Sequence, residues 1–199
     1  MGKGALTANI ITELQSKEYN MPVLHHFCGS GLQNSLHAIL YHFILQGKRT
    51  QLWKTSDKEI TRKLTHLPSK YHDLIRLFQR LLDECFEPTR KNTIGNLAVV
   101  LDGLDEAAVA YSGLHIYDWF HTYDENGDVE GDWKSASNIR WIFTYRKGFY
   151  NFPKYEQKTV IDLVQPLQGL SEKAAKDALI PFNPSKEFVE EVIKRGAIV

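Results

Sequence analysis

Apolar residues recur along the chain at helical spacing in several stretches. Leu6, Ile10 and Leu14 occupy every fourth position, and this spacing predicts a helix over residues 4–18. A second helical face, over residues 34–47, is predicted to stop at Gly47, because glycine commonly follows the last residue of a helix. Helical spacing or capping residues predict further helices over residues 57–66, 70–86, 172–180 and 184–195.

Short apolar runs between these helices predict strands. They cover residues 22–27, 97–101, 139–145 and 159–164. The second run is apolar at every position, which is typical of a strand that is buried on both faces, as in parallel sheets. Strands separated by helices predict an α/β fold with a mostly parallel, doubly wound sheet. The polar stretch 122–138 interrupts this pattern and is predicted to be a long exposed loop or insertion.

Length and composition describe one globular domain that can build its own core. The chain has 199 residues, of which 43% are hydrophobic, and its 24 basic side chains balance 24 acidic ones. This balance argues against specific nucleic-acid binding, which requires a basic surface. No apolar run approaches the roughly 18 residues of a membrane span, and two cysteines are too few for a disulfide framework. We therefore expect a cytoplasmic protein without a membrane span.

The residues that follow the apolar run 97–101 are the strongest candidates for chemistry. They read Asp102-Gly-Leu-Asp-Glu106, and they lie at the carboxyl end of a predicted strand, where open α/β sheets bind ligands. Asp102 could hold Mg²⁺, usually through water, and Glu106 or Asp105 could orient or deprotonate an attacking water. The alternative is purely structural, with Asp102 in a turn and the next two acids solvated at a helix start.

This segment resembles the Walker B motif of STAND-class P-loop NTPases, most closely that of the NACHT group. Residues 1–6 resemble the end of a Walker A motif, residues 138–146 the sensor 1 strand, and residues 164–171 the exit into a helical lid. The resemblance implies a P-loop NTPase three-layer sandwich with a mostly parallel sheet. The core would cover residues 1–165, without its first strand, and residues 166–199 would begin the lid.

The resemblance also assigns residues to a nucleotide site. The backbone around Gly2, Gly4 and Ala5 would wrap the phosphates at a helix N-terminus, and Lys3 would meet the β and γ phosphates. Thr144 would contact the nucleotide, and Arg146 would reach the γ-phosphate. Gly4 occupies the position where the motif has a serine or threonine, and Thr7, one turn further on, is a poor substitute by position.

The function implied is that of a signalling switch that binds ATP or ADP with Mg²⁺, with nucleoside-triphosphate hydrolysis as its activity. Its partners would be further copies of itself or other domains of a longer STAND protein. The departure at Gly4 keeps an alternative open, a degenerate interaction or scaffold module that does not catalyse. A truncated product that lacks the central strand is a third hypothesis.

Overall fold

The computed structural model describes residues 3–29, 34–86, 95–109 and 116–145. All of these except Lys3–Leu6 belong to one compact unit, Thr7–Asn151. The helices are α1 (Lys3–Leu14), α2 (Leu36–Arg49), α3 (Lys58–Thr65), α4 (Tyr71–Phe86) and α5 (Leu104–Val109), with a 3₁₀ helix over Ile116–Phe120. The strands are β1 (Val23–Phe27), β2 (Leu97–Asp102), β3 (His121–Tyr123), β4 (Val129–Asp132) and β5 (Ile139–Phe143). The predicted strand 159–164, the predicted helices 172–180 and 184–195, and the lid over 166–199 lie outside the described residues.

Three of the strands form a parallel sheet in the order β1-β2-β5. Val99 of the central strand is opposite Leu24 on one side and Trp141 on the other. Every residue of β2 is buried, as its unbroken apolar sequence predicts for the middle of a parallel sheet. The predicted α/β class and the parallel sheet are therefore confirmed.

Helices cover both faces of this sheet. Ile11 of α1 packs with Ala98 and Val100 of the central strand on one face. On the opposite face, the Trp141 ring lies against Phe78 of α4, with the ring centroids 6.3 Å apart. Successive side chains of a strand point to opposite faces, so the central strand is buried from both sides. None of the described helices is both long and apolar enough to cross a membrane.

The apolar spacing that predicts α1 marks its buried side only in part. Leu14 packs against the core, and Thr7 and Ile11 are buried, whereas Leu6 is 38% exposed. The helix also ends at Leu14 rather than at residue 18, because the chain turns back there and the Met21 N–H donates to the Leu14 carbonyl at 2.9 Å. The buried side of α1 therefore places the hydroxyl of Thr7 against the sheet.

The prediction that the second helix stops at Gly47 is also wrong. α2 continues to Arg49, and Gly47 lies buried inside it. A Cβ atom on Gly47 would lie 2.2 Å from the Trp53 ring, whose Nε1 donates to the Ile44 carbonyl at 2.7 Å. The glycine therefore makes room for an indole packed across the helix, and it does not end the helix.

The polar stretch 122–138 is an ordered hairpin and not only a loop. It contains most of the antiparallel pair β3–β4. In the turn between them, Oδ1 of Asp124 accepts hydrogen bonds from the three backbone N–H groups of residues 126–128. At the base of the hairpin, the Phe120 and Trp141 rings meet edge to face at 4.9 Å. Aromatic packing thus attaches the hairpin to the sheet.

Candidate functional site at the carboxyl edge of the sheet

The three parallel strands end at the same edge, and backbone hydrogen bonds tie their ends together. The Cys28 N–H donates to the Asp102 carbonyl at 2.9 Å, which extends the pairing of β1 with β2. The Thr144 N–H donates to the Leu101 carbonyl at 3.0 Å, and the Leu104 N–H donates to the Thr144 carbonyl at 2.8 Å. The carboxyl ends of parallel strands form the usual ligand-binding edge of an open α/β sheet.

Asp102 is a firmly anchored polar side chain at this edge. It is only 8% exposed, and its Oδ1 accepts hydrogen bonds from two threonine hydroxyls. Thr7 Oγ1, from α1, lies 2.8 Å away, and Thr144 Oγ1, just after β5, is the second donor. Thr144 Oγ1 also accepts the Gly103 N–H at 3.0 Å, which directs the proton of that hydroxyl to the carboxylate. Among the described residues, no group donates to Oδ2 of Asp102.

Glu106 lies over the glycines that follow two of the strands. Gly29 and Gly103 both have positive φ, of 82° and 80°. A Cβ atom on Gly29 would lie 2.0 Å from Oε2 of Glu106, and one on Gly103 would lie 3.7 Å from its Cδ. Gly29 thus leaves room for this carboxylate, whereas a Cβ atom on Gly103 would only touch it. Asp105, its neighbour in α5, is 3% exposed, which favours Glu106 as the acid that can reach a water.

The electrostatics of this edge are acidic. Burial raises the pKa of the Cys28 thiol to about 12, and the nearby carboxylates of Glu106, Asp102 and Asp105 add to this effect. Cys28 therefore remains a neutral thiol, which is inert as a nucleophile.

The polar groups at this edge suit a hard cation. A carboxylate oxygen is the type of ligand that Mg²⁺ prefers, and Mg²⁺ needs only one or two carboxylates because it keeps several waters. The described residues contain no group of three or more histidines, cysteines or acids placed to hold a metal by themselves. The site therefore fits a cation that is shared with a bound ligand better than one in a closed protein cage.

The structure brings together some of the residues that the sequence singled out. Asp102, Glu106 and Thr144 meet at the carboxyl edge, as described above. Gly4 and Ala5 lie in the first turn of α1, which begins at Lys3. Gly2, Arg146 and the side chain of Lys3 lie outside the described residues. The predicted convergence of Lys3 with Asp102 stays a prediction.

Thr7 is the residue of this site that the sequence analysis did not assign. Its spacing from Ile11 and Leu14, four and then three residues, places it on one face of α1. A hydroxyl on a face that packs against a sheet needs a partner, since buried polar groups are almost always hydrogen-bonded. The correct helical face, combined with an acid at a strand end, could have pointed to this contact.

Comparison with known proteins places most of the chain in a known family. Residues 1–146 match the family model described as Nephrocystin 3, N-terminal, and not a NACHT model. No curated protein and no solved structure matches the chain. The matched part includes the whole edge formed by Thr7, Asp102, Glu106 and Thr144.

Proposed function

Because the chain belongs to the Nephrocystin 3 N-terminal family, we propose that its core is a NACHT-like P-loop NTPase of the STAND class. This core binds ATP or ADP with Mg²⁺ and acts as a nucleotide-dependent switch in a larger cytoplasmic protein. One observation carries the proposal. A buried aspartate, Asp102, ends the central strand, is fixed by two hydroxyls, and has the carboxylate of Glu106 beside the same strand ends.

The acids of this edge have separate roles in the proposal. Asp102 holds Mg²⁺, through Oδ2 or a water on it, and the cation neutralises phosphate charge. Glu106 orients the attacking water and accepts its proton, which is the work of a general base. Asp105, which is more deeply buried, is the second choice for that role.

The phosphate-binding roles rest on the sequence resemblance. Lys3 meets the β and γ phosphates, and the backbone N–H groups around Gly2, Gly4 and Ala5 wrap them, as at other helix N-termini that bind phosphate. Arg146 supplies positive charge where the transition state gathers negative charge. Thr144 takes part through its hydroxyl, which lies beside Asp102.

The strand order also supports this assignment. β5, which resembles the sensor 1 strand, is at one end of the described order β1-β2-β5. In the STAND core, the strand that feeds the phosphate loop lies next to the sensor strand, on the side away from the Walker B strand. Among the described residues, no strand pairs with that side of β5, which is compatible with this arrangement.

Equilibrium binding of a fluorescent ATP analogue, in MgCl₂ and in EDTA, tests the proposal. We expect binding that is stronger with Mg²⁺ and that Asp102→Ala weakens in MgCl₂ but not in EDTA. Asp128→Ala is the matched control, because Asp128 is exposed in the β3–β4 turn. Binding that is indifferent to both Mg²⁺ and Asp102 contradicts the metal site, and no binding at all contradicts the nucleotide switch.

A second function is favoured by one residue. Gly4 offers no hydroxyl where the Walker A motif has one, and this suits a non-catalytic interaction or scaffold module that derives from a NACHT domain. ATP turnover distinguishes the two. The switch hydrolyses ATP, whereas the scaffold module shows no hydrolysis even when it binds nucleotide.

The proposal also implies partners. STAND cores switch between closed and assembled states, so we expect self-association, or contact with other domains of a longer protein, to depend on the nucleotide. Sedimentation velocity in ATP and in ADP measures this directly. Identical sedimentation in the two nucleotides contradicts a switch that works through assembly.

A further inference from the structure

Two hydroxyls from different elements converge on a single oxygen of Asp102. Thr7 Oγ1, from the helix on one face of the sheet, donates to Oδ1 at 2.8 Å, and Thr144 Oγ1, from the end of the neighbouring strand, donates to the same atom. A carboxylate oxygen has about two good acceptor positions. The two threonines therefore saturate Oδ1, while Oδ2 accepts no hydrogen bond from the described residues.

The two donors differ in how strongly the local backbone fixes them. Thr144 Oγ1 also accepts the Gly103 N–H, so it is part of the turn that ends β2. Thr7 is 95 residues away from Asp102 in the sequence, and it reaches the carboxylate from α1. Thr7 is also 1% exposed, so its hydroxyl is placed to act on Asp102 and not directly on a ligand.

We infer that Thr7 is a positioning residue that orients Asp102, so that Oδ2 faces the cation that accompanies a bound nucleoside triphosphate. The inference rests on the proposed function and deepens it, because it assigns the divalent cation to one oxygen and gives α1 a part in holding that oxygen. Without the Thr7 bond, only Thr144 holds Oδ1, and the carboxylate can rotate about χ2 more freely. Mg²⁺ then meets an acid whose geometry is less well fixed in advance.

The expected loss of Mg²⁺ affinity can be estimated from other metal sites. Removing a side chain that orients a metal ligand typically weakens metal affinity 10–100-fold. We therefore expect Thr7→Val, which keeps the shape and removes the hydroxyl, to raise the MgCl₂ midpoint of ATP binding by about tenfold or more. Affinity for ATP in EDTA should not change. Thr7→Ser keeps the donor and should restore the parental midpoint.

The experiment uses residues 1–199 and a fluorescent ATP analogue, titrated with MgCl₂ from EDTA-treated solutions. Thr12→Val is the matched control, since Thr12 is an exposed threonine of the same helix whose hydroxyl donates to the Ala8 carbonyl. Its midpoint should equal that of the parent. Thermal unfolding without ligand is recorded for every variant, so that a loss of stability is seen separately.

Each outcome of this titration either supports or overturns the role of Thr7. A higher midpoint in Thr7→Val, with recovery in Thr7→Ser, supports the inference. An unchanged midpoint in a folded Thr7→Val protein overturns it, even if the melting temperature falls, and leaves the proposed function intact. If the parent binds no ATP in MgCl₂, both the function and this inference are wrong. If Thr7→Val does not fold, Thr7→Cys, which keeps the size but has a weak donor, provides the same comparison.

Discussion

Oε2 of Glu106 lies 2.0 Å from the point that a Cβ atom on Gly29 would occupy. The two residues come from different strand ends, Gly29 after β1 and Glu106 in the helix after β2. Only a residue without a side chain leaves the carboxylate where it is. Gly29 also has a φ of 82°, which L-residues with side chains rarely adopt. This position therefore constrains both the backbone and the proposed catalytic acid.

We predict that Gly29→Ala displaces Glu106 and removes ATP hydrolysis. The backbone strain of alanine at positive φ costs about 1–2 kcal/mol, and the Glu106 carboxylate, the end of a flexible side chain, must move aside. Gly127→Ala is the control, because Gly127 has a φ of 93° and lies in the β3–β4 turn, where an added Cβ meets His72. Turnover and urea unfolding of both variants check this. Equal turnover in the two variants would show that the Gly29–Glu106 contact has no part in the chemistry.

Glu106→Gln should abolish ATP hydrolysis while ATP binding is retained. Glutamine keeps the size of the side chain but cannot accept the proton of an attacking water. Asp105→Asn, at the more buried neighbour, should have the smaller effect on turnover. Glu130→Gln, on exposed strand β4, controls for loss of a charge. If Asp105→Asn is the inactive variant, the catalytic role moves to Asp105.

Local patterns were sufficient to predict the three strands of the parallel sheet and the existence of α1 to α4. The unbroken apolar run of β2 predicts a strand that is buried on both faces, and Leu97, Val99 and Leu101 are all fully buried. The motif from Asp102 to Glu106 lies at the carboxyl edge of the sheet, as the apolar run before it predicts. These features depend on neighbours in the sequence, which is why pattern reasoning finds them.

Contacts between distant parts of the chain could not be predicted in the same way. Thr7 donates a hydrogen bond to Asp102, which is 95 residues away in the sequence. This contact can be expected only once it is known which side of α1 faces the sheet. Gly47 follows the local rule for a helix end, but packing against Trp53 decides its role. Residues 122–138 are polar because the hairpin exposes them, so the pattern does not distinguish a hairpin from a loop.

Gly47→Ala should destabilise the protein, although alanine is the better helix former. Helix propensity alone predicts a gain of about 1 kcal/mol. The added Cβ would lie 2.2 Å from the Trp53 ring, and overpacking of this kind costs about 1–3 kcal/mol. Moving the ring also breaks its hydrogen bond to Ile44. Urea unfolding measures the net change, with Gly95→Ala as the control, since a Cβ there meets no atom within 4 Å. A more stable Gly47→Ala variant contradicts this account of the packing.

The last prediction concerns His26, a buried histidine of β1. It is 4% exposed, and its Nδ1 lies 3.1 Å from Nδ1 of His42 in α2. Its Nε2 is buried and has no hydrogen-bond partner among the described residues. Burial, with smaller contributions from His42 and His25, lowers the pKa of His26 to about 4. The neutral ring is therefore the form that the fold accepts.

Stability should consequently fall as the pH is lowered from about 6.5 towards about 4. In this window the unfolded chain binds a proton on His26 and the folded chain does not, so the free energy of unfolding decreases as pH falls. The loss of stability attributable to His26 is about 2 kcal/mol at pH 5.

Urea unfolding at pH 7.5 and pH 5 measures this loss in the parent and in His26→Phe, which cannot bind the proton. His26→Phe should lose less stability between the two pH values than the parent, whereas His66→Asn, at an exposed histidine, should lose as much as the parent. An equal pH dependence in the parent and in His26→Phe would show that His26 takes up its proton as readily in the folded chain as in the unfolded one.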